Sequence, residues 1–173
     1  YREALTDFNQ AILLQPDYFS AYYQRGNLHL TLGDTQAAKP DYEQALEIEP
    51  KSPQVLTNLA TVYAELGDLE TAEAKLDEAL AIHHDYTEAL YGRAELYLLT
   101  DRYNEAMQDV DVLLDQGMED PALYRLKAQA LGGLGDIDTA LAHFEAPMQT
   151  SDEPAEQYHE RADFNLYFDR HKE

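Results

Sequence analysis

A strict period runs through this chain and constrains it more than any other feature. Gly26, Ala60, Ala94, Ala128 and Ala162 are each 34 residues apart, and so are Ala4, Ala38, Ala72, Ala106 and Ala140. Phe8, Tyr42, Leu76, Val110 and Phe144 form a third column, and Ala11, Ala45, Ala79, Leu113 and Pro147 a fourth. Gly33, Gly67 and Gly135 share a column with Asp101. Independent columns that hold register without an insertion describe one small structural unit repeated end to end. A unit this short cannot bury its apolar face alone, so it must lean on its neighbours.

Each unit reads as two helices. Ala38, Tyr42, Ala45 and Ile48 recur at spacings of four, three and three, which puts them on one helical face, and Tyr22, Gly26 and His29 do the same in the segment before. Between the two lies Leu32-Gly33-Asp34, which returns as Leu66-Gly67-Asp68 and Leu134-Gly135-Asp136. Gly ends one helix because it tolerates positive φ, and Asp accepts from the open amides of the next. Ser52-Pro53 and Asp120-Pro121 are N-caps followed by Pro at the first helical position. No alternating strand pattern appears. The expected fold is all-α, a solenoid of antiparallel helix pairs with about ten helices.

Composition narrows the partners. With 34 acidic against 12 basic side chains the formal charge is −22, which repels phosphate backbones and anionic headgroups. Nucleic acid is excluded as a direct partner on this ground, and no apolar run approaches the roughly 20 residues that span a bilayer. The absence of Cys excludes disulfides, thiolate zinc sites and a Cys nucleophile. It leaves the compartment open, cytoplasm and periplasm both being compatible.

The run from Tyr22 through Gly26, His29, Gly33-Asp34, Ala38, Tyr42 and Ala45 to Pro50 resembles the tetratricopeptide repeat. The resemblance covers the whole chain as a single array. Residues 19–52, 53–86, 87–120 and 121–154 are complete repeats. Residues 1–18 are the second helix of a truncated repeat, and 155–173 the first helix of a further repeat or a capping helix. The chain starts and stops at nearly the same point of the repeat, so it reads as a segment of a longer array. It departs from the family at His29, where an aromatic is usual, at His84 and Met118, where Pro50 stands in the best unit, and at Pro147.

The resemblance implies a non-catalytic scaffold that holds a peptide or protein segment in a groove along the first helices. Carried over by register, that face holds Tyr23, Gln24, Asn27, Thr57, Asn58, Thr61, Glu88, Tyr91, Glu95, Arg125 and Gln129, then His159 and Asp163. Asn27 and Asn58 match two positions that, in chaperone-binding members, clamp a C-terminal carboxylate. The basic partners are missing, with Tyr23, Glu88 and Gly92 in their places, so a carboxylate ligand is disfavoured. The face favours amide or hydroxyl groups at one end of its ligand and basic charge at the other. Two alternatives have different consequences: self-assembly through the array ends, giving a homo-oligomer, or service as the regulatory arm of a larger enzyme.

Other residues have structural readings. Arg25 and Arg93 are each followed sixteen residues on by Asp41 and Asp109, whereas Leu59 is followed by Lys75, so Arg and Asp come and go together. This predicts ion pairs between the two helices of a unit. His83-His84-Asp85 is a solvated turn rather than a metal site, and no cofactor is expected. Paired carboxylates in so acidic a chain carry no catalytic information, and no nucleophile stands beside the scattered His residues. Pro40 and Pro147 should disturb their helices. Gly132 and Gly133 should weaken theirs by about 0.8–1.0 kcal/mol each relative to Ala. Alanines at Tyr23, Asn27 and Asn58 should weaken partner capture and leave melting nearly unchanged.

Overall fold

A computed structural model describes residues 1–148 together with 158, 159 and 162. Its helices are α1 (Arg2–Leu14), α2 (Phe19–Thr31), α3 (Thr35–Ile48), α4 (Pro53–Glu65), α5 (Leu69–Ile82), α6 (Thr87–Leu99), α7 (Tyr103–Asp115), α8 (Pro121–Gly133) and α9 (Ile137–Met148). There is no strand among the described residues. Helices α2, α4, α6 and α8 begin at 19, 53, 87 and 121, and α3, α5, α7 and α9 at 35, 69, 103 and 137. Both series keep the 34-residue step of the sequence. The final helix expected over 155–173, Asp163 and the chain beyond Pro147-Met148 lie outside the described residues, apart from helical Tyr158, His159 and Ala162.

The turns form for the reasons their residues supply. Gly33, Gly67 and Gly135 take φ of 74°, 84° and 86°, and Asp101, in the same column, is carried to 57°. Asp is one of the few residues besides glycine that adopt this conformation readily. Asp34, Asp68 and Asp136 each accept from the amide three residues on, at 3.2, 3.1 and 3.2 Å. Asp120 caps α8 through Ala122 N–H at 2.9 Å. Helix α3 continues through the exposed Pro40.

The chain divides into two compact units, Tyr1–Gly92 and Arg93–Glu173, and the division falls inside α6. In the first unit α1 to α5 pack each on the next, and α2 also touches α4. Its core joins Ala38, Tyr42, Ala45, Val55, Leu59 and Val62. Small residues let the backbones approach: a Cβ on Gly26 would stand 2.9 Å from the Tyr42 ring. The columns for Gly26 and Tyr42 are thus coupled, Gly being needed where the facing side chain is largest. In the second unit α7 packs on α8 and α8 on α9. Gly133 lies flat against Tyr103, with an added Cβ only 2.4 Å from the ring. Gly133 is therefore a seat for an aromatic ring, a role its helix-weakening tendency does not suggest.

Candidate functional site

One polar network joins α2, α3 and α4 in the first unit. Tyr42, on α3, is fully buried and its hydroxyl donates to Asn27 Oδ1 at 2.7 Å. Asn58 Nδ2 donates to the same oxygen at 2.8 Å and reaches the Tyr42 hydroxyl at 3.4 Å. Burial pushes the Tyr42 phenol well up, Asn58 opposing it, so it stays a neutral donor. Asn27 and Asn58, read from sequence as ligand-facing, are thus bonded to one another and to the core. Alanine at Asn27 would take away the acceptor of a buried hydroxyl and leave it only the Asn58 amide at 3.4 Å, which argues against the expectation that melting would stay nearly unchanged.

The network consumes half of the amide chemistry available. Among the described residues, Asn27 Nδ2 and Asn58 Oδ1 have no hydrogen-bond partner, and both side chains are half-buried. A donor and an acceptor on two bonded amides match the C=O and N–H edges of an extended peptide. Tyr23 flanks them, its ring stacked on Phe19 at 6.0 Å and tilted against Tyr42 at 6.2 Å. Tyr86 opens α6, and its phenol is pushed up to about 12, first by burial and then by the Glu88 carboxylate and Tyr23. Gln24 and Thr61 are exposed, and Tyr91 is half-buried. Thr61 Oγ1 donates to Thr57 C=O at 3.3 Å.

The second unit places Glu95 and Arg125 within electrostatic reach of one another. Burial raises the Glu95 carboxyl and Arg125 counteracts it. Arg125 thus tempers the negative end of the expected face, while Gln129 is exposed on α8. His159 is exposed as well.

The cation columns are built around paired carboxylates. Arg25 donates through Nε to Asp41 Oδ2 at 2.8 Å and through Nη2 to Oδ1 at 2.5 Å. Asp41 is only 3% exposed, and its hydrogen bonds hold Arg25 above the usual guanidinium range despite burial. Arg93 meets buried Asp109 in the same fork, at 2.8 and 2.7 Å. Sequence spacing found these contacts but missed others. Arg25 Nη1 also reaches back to Asn9 Oδ1 on α1, at 2.5 Å. Lys127 belongs to the same column, yet sixteen residues on it meets His143 instead of an acid. It turns back instead, to Asp111 on α7 at 2.5 Å. The signal was readable: Asn9 and Asp111 each lie sixteen residues before their cation.

On the turn after α5, His83 Nε2 lies 3.1 Å and His84 Nδ1 3.8 Å from Asp85 Oδ1. Among the described residues no group of three or more His, Asp or Glu could hold a metal ion. No helix there is long and apolar enough to cross a membrane.

Comparison with known proteins agrees with this architecture. A sequence profile for the tetratricopeptide repeat matches residues 29–85 and 65–130. Related profiles, described as TPR repeat and tetratricopeptide repeat, match 1–33 and 121–146. No curated protein sequence matches the chain. Among solved structures, a tetratricopeptide repeat protein from Parabacteroides merdae superposes with a TM-score of 0.80 at 25% identity, covering 96% of this chain and 65% of that one. TTC0263, a TPR protein of Thermus thermophilus, gives 0.75 at 22% identity over 94% and 89%. YrrB, a TPR protein described as having an unusual peptide-binding site, gives 0.74 at 17% over 95% and 85%. The chain therefore belongs to the tetratricopeptide repeat family, whose fold serves generally as a protein–protein interaction scaffold.

Proposed function

We propose that this chain is a non-catalytic scaffold that holds an extended peptide segment across the inner positions of α2 and α4. One observation carries the reading: the Tyr42–Asn27–Asn58 network leaves one amide donor and one amide acceptor without a partner among the described residues, and fixes the rest of both side chains. Preorganised amides bind a peptide backbone without first giving up conformational freedom. Tyr23 adds rigid contact area with a polar tip. The ion-paired Arg25, Asp41, Arg93 and Asp109 hold helix pairs together and do not touch the ligand.

The test is selection of heptapeptides from a displayed random library on the whole chain, followed by titration of synthetic copies. Asn58→Ala is the diagnostic variant, because Tyr42 can still donate to Asn27 when Asn58 is gone. Loss of binding on the order of tenfold with an unchanged unfolding midpoint supports the reading. Peptides that bind both proteins equally move the site elsewhere. Sedimentation over a range of concentrations separates this reading from self-assembly, which requires oligomers that grow with concentration.

A further inference from the structure

The Asn58 amide belongs to a polar stripe on α4. Gln54, Asn58, Thr61 and Glu65 follow at spacings of four, three and four, which sets them on one helical face. Gln54, Thr61 and Glu65 are exposed and Asn58 is half-buried, whereas Val55, Leu59 and Val62 turn into the core. Glu65 closes the stripe at the last residue of the helix. An acid is the unfavourable choice there, because the open carbonyls of a helix C-terminus carry partial negative charge and favour a cation.

The Glu65 carboxylate is held in place and is not neutralised. Thr35 Oγ1, at the start of α3, donates to its Oε2 at 2.5 Å, across thirty residues of chain. Its Oε1 has no hydrogen-bond partner among the described residues. Helix α4 contains no Lys or Arg. The cations of the two helices before it are engaged elsewhere, Arg25 by Asp41 and Asn9, and Lys39 by Glu43 and the Tyr63 ring at 4.6 Å. The field of the carboxylate also reaches the amide network: after burial, and with Tyr23 and Asp41, Glu65 helps to push the Tyr42 phenol up. Glu65 stands seven residues beyond the Asn58 acceptor. That is about 10 Å along the helix, or about three residues of extended chain.

Resting on the peptide reading above, we propose that Glu65 is a charge-reading subsite for a lysine or arginine of the partner peptide, carried about three residues from the one clamped by Asn27 and Asn58. A cation there supplies the charge that the end of α4 lacks. The bond from Thr35 orders the carboxylate beforehand, so less conformational freedom is lost on binding. The net charge of −22 draws a basic segment in, and added salt weakens the attraction.

The experiment uses the heptapeptides selected on the whole chain, each resynthesised with its basic residue replaced by glutamine or by glutamate. Titrations at low salt are run against the wild type, Asn58→Ala, Glu65→Gln and Glu65→Lys. The expected result is a basic residue at a fixed position in the selected set. Glu65→Gln should weaken these peptides on the order of threefold and Glu65→Lys on the order of tenfold, and added salt should shrink both losses. The glutamate peptides should in turn bind Glu65→Lys better than the wild type. Glu65→Gln keeps an acceptor for Thr35, so the unfolding midpoint should hold; a merely structural role would leave the charge preference unchanged. Peptides that lose affinity with Asn58→Ala yet bind both Glu65 variants as they bind the wild type overturn this subsite and leave the peptide reading standing. Peptides indifferent to all three substitutions overturn both.

Discussion

Arg25→Ala is the most informative perturbation of the scaffold. The guanidinium makes a two-pronged contact with Asp41, at 2.8 and 2.5 Å, and the carboxylate side chain is only 5% exposed. Two unit charges about 4 Å apart attract by about 4 kcal/mol at an effective dielectric of 20. Desolvation offsets much of that when both are present, but removing one partner leaves the other charge buried and alone. Stranding a buried carboxylate in this way costs about 3–5 kcal/mol. Asp41→Ala should cost less, about 1–3 kcal/mol, because the Arg25 head is 21% exposed, can rehydrate and keeps Asn9. The double variant should then fall short of the sum by about 1–3 kcal/mol. Urea unfolding of the wild type and three variants, read at constant slope, measures the cycle. Losses that add to within about 0.5 kcal/mol would show that the pair contributes no coupling, and the reasoning from burial would be wrong.

Gly133→Ala should destabilise by about 1–3 kcal/mol, because its Cβ would fall 2.4 Å from the Tyr103 ring; thermal unfolding of the single variant and of the same change in a Tyr103→Ala background separates clash from propensity. Gly67→Ala meets nothing within 4 Å but must hold φ at +84°, so its cost should be about 1–2 kcal/mol and insensitive to neighbouring substitutions. Asn27→Ala should lower stability by about 1–3 kcal/mol by stranding the Tyr42 hydroxyl, and Tyr42→Phe in the same chain should recover part of the loss in a denaturant titration. Burial and then Lys127 hold the His143 imidazole below its ordinary 6.5, with Asp111 opposing, so the folded chain resists the proton that the unfolded chain accepts. Stability should therefore be full above that value and decline as pH falls below it, and His143→Gln should flatten the decline below pH 6.5.

How much was legible in advance varies with the kind of interaction. Helix positions were open to reading because apolar periodicity and capping are local: Leu32-Gly33-Asp34 announces a helix end, a left-handed residue and a cap within three positions. The Arg25–Asp41 and Arg93–Asp109 contacts were legible because two residue types covary at a fixed offset across repeats. Lys127 slipped past because His143 stands where an acid was sought, so its carboxylate lies behind it rather than ahead. Gly133 was misread because helix propensity is a property of one residue, whereas its ring contact involves a residue thirty positions away. Asn27 and Asn58 were placed on the right helices, but not in each other's hydrogen-bonding shell.

The amino-acid order alone determined that this chain repeats, that the repeat is a helix pair, and where each pair turns, because these follow from side chains a few positions apart. Tertiary packing alone decided which polar atoms are consumed and which are left over. Tyr42 takes one edge of Asn27, Asn58 takes the same oxygen, and Thr57 is left with nothing. Hydrogen bonding fades within a few tenths of an ångström and with angle, so only the packed arrangement of the helices assigns those partners.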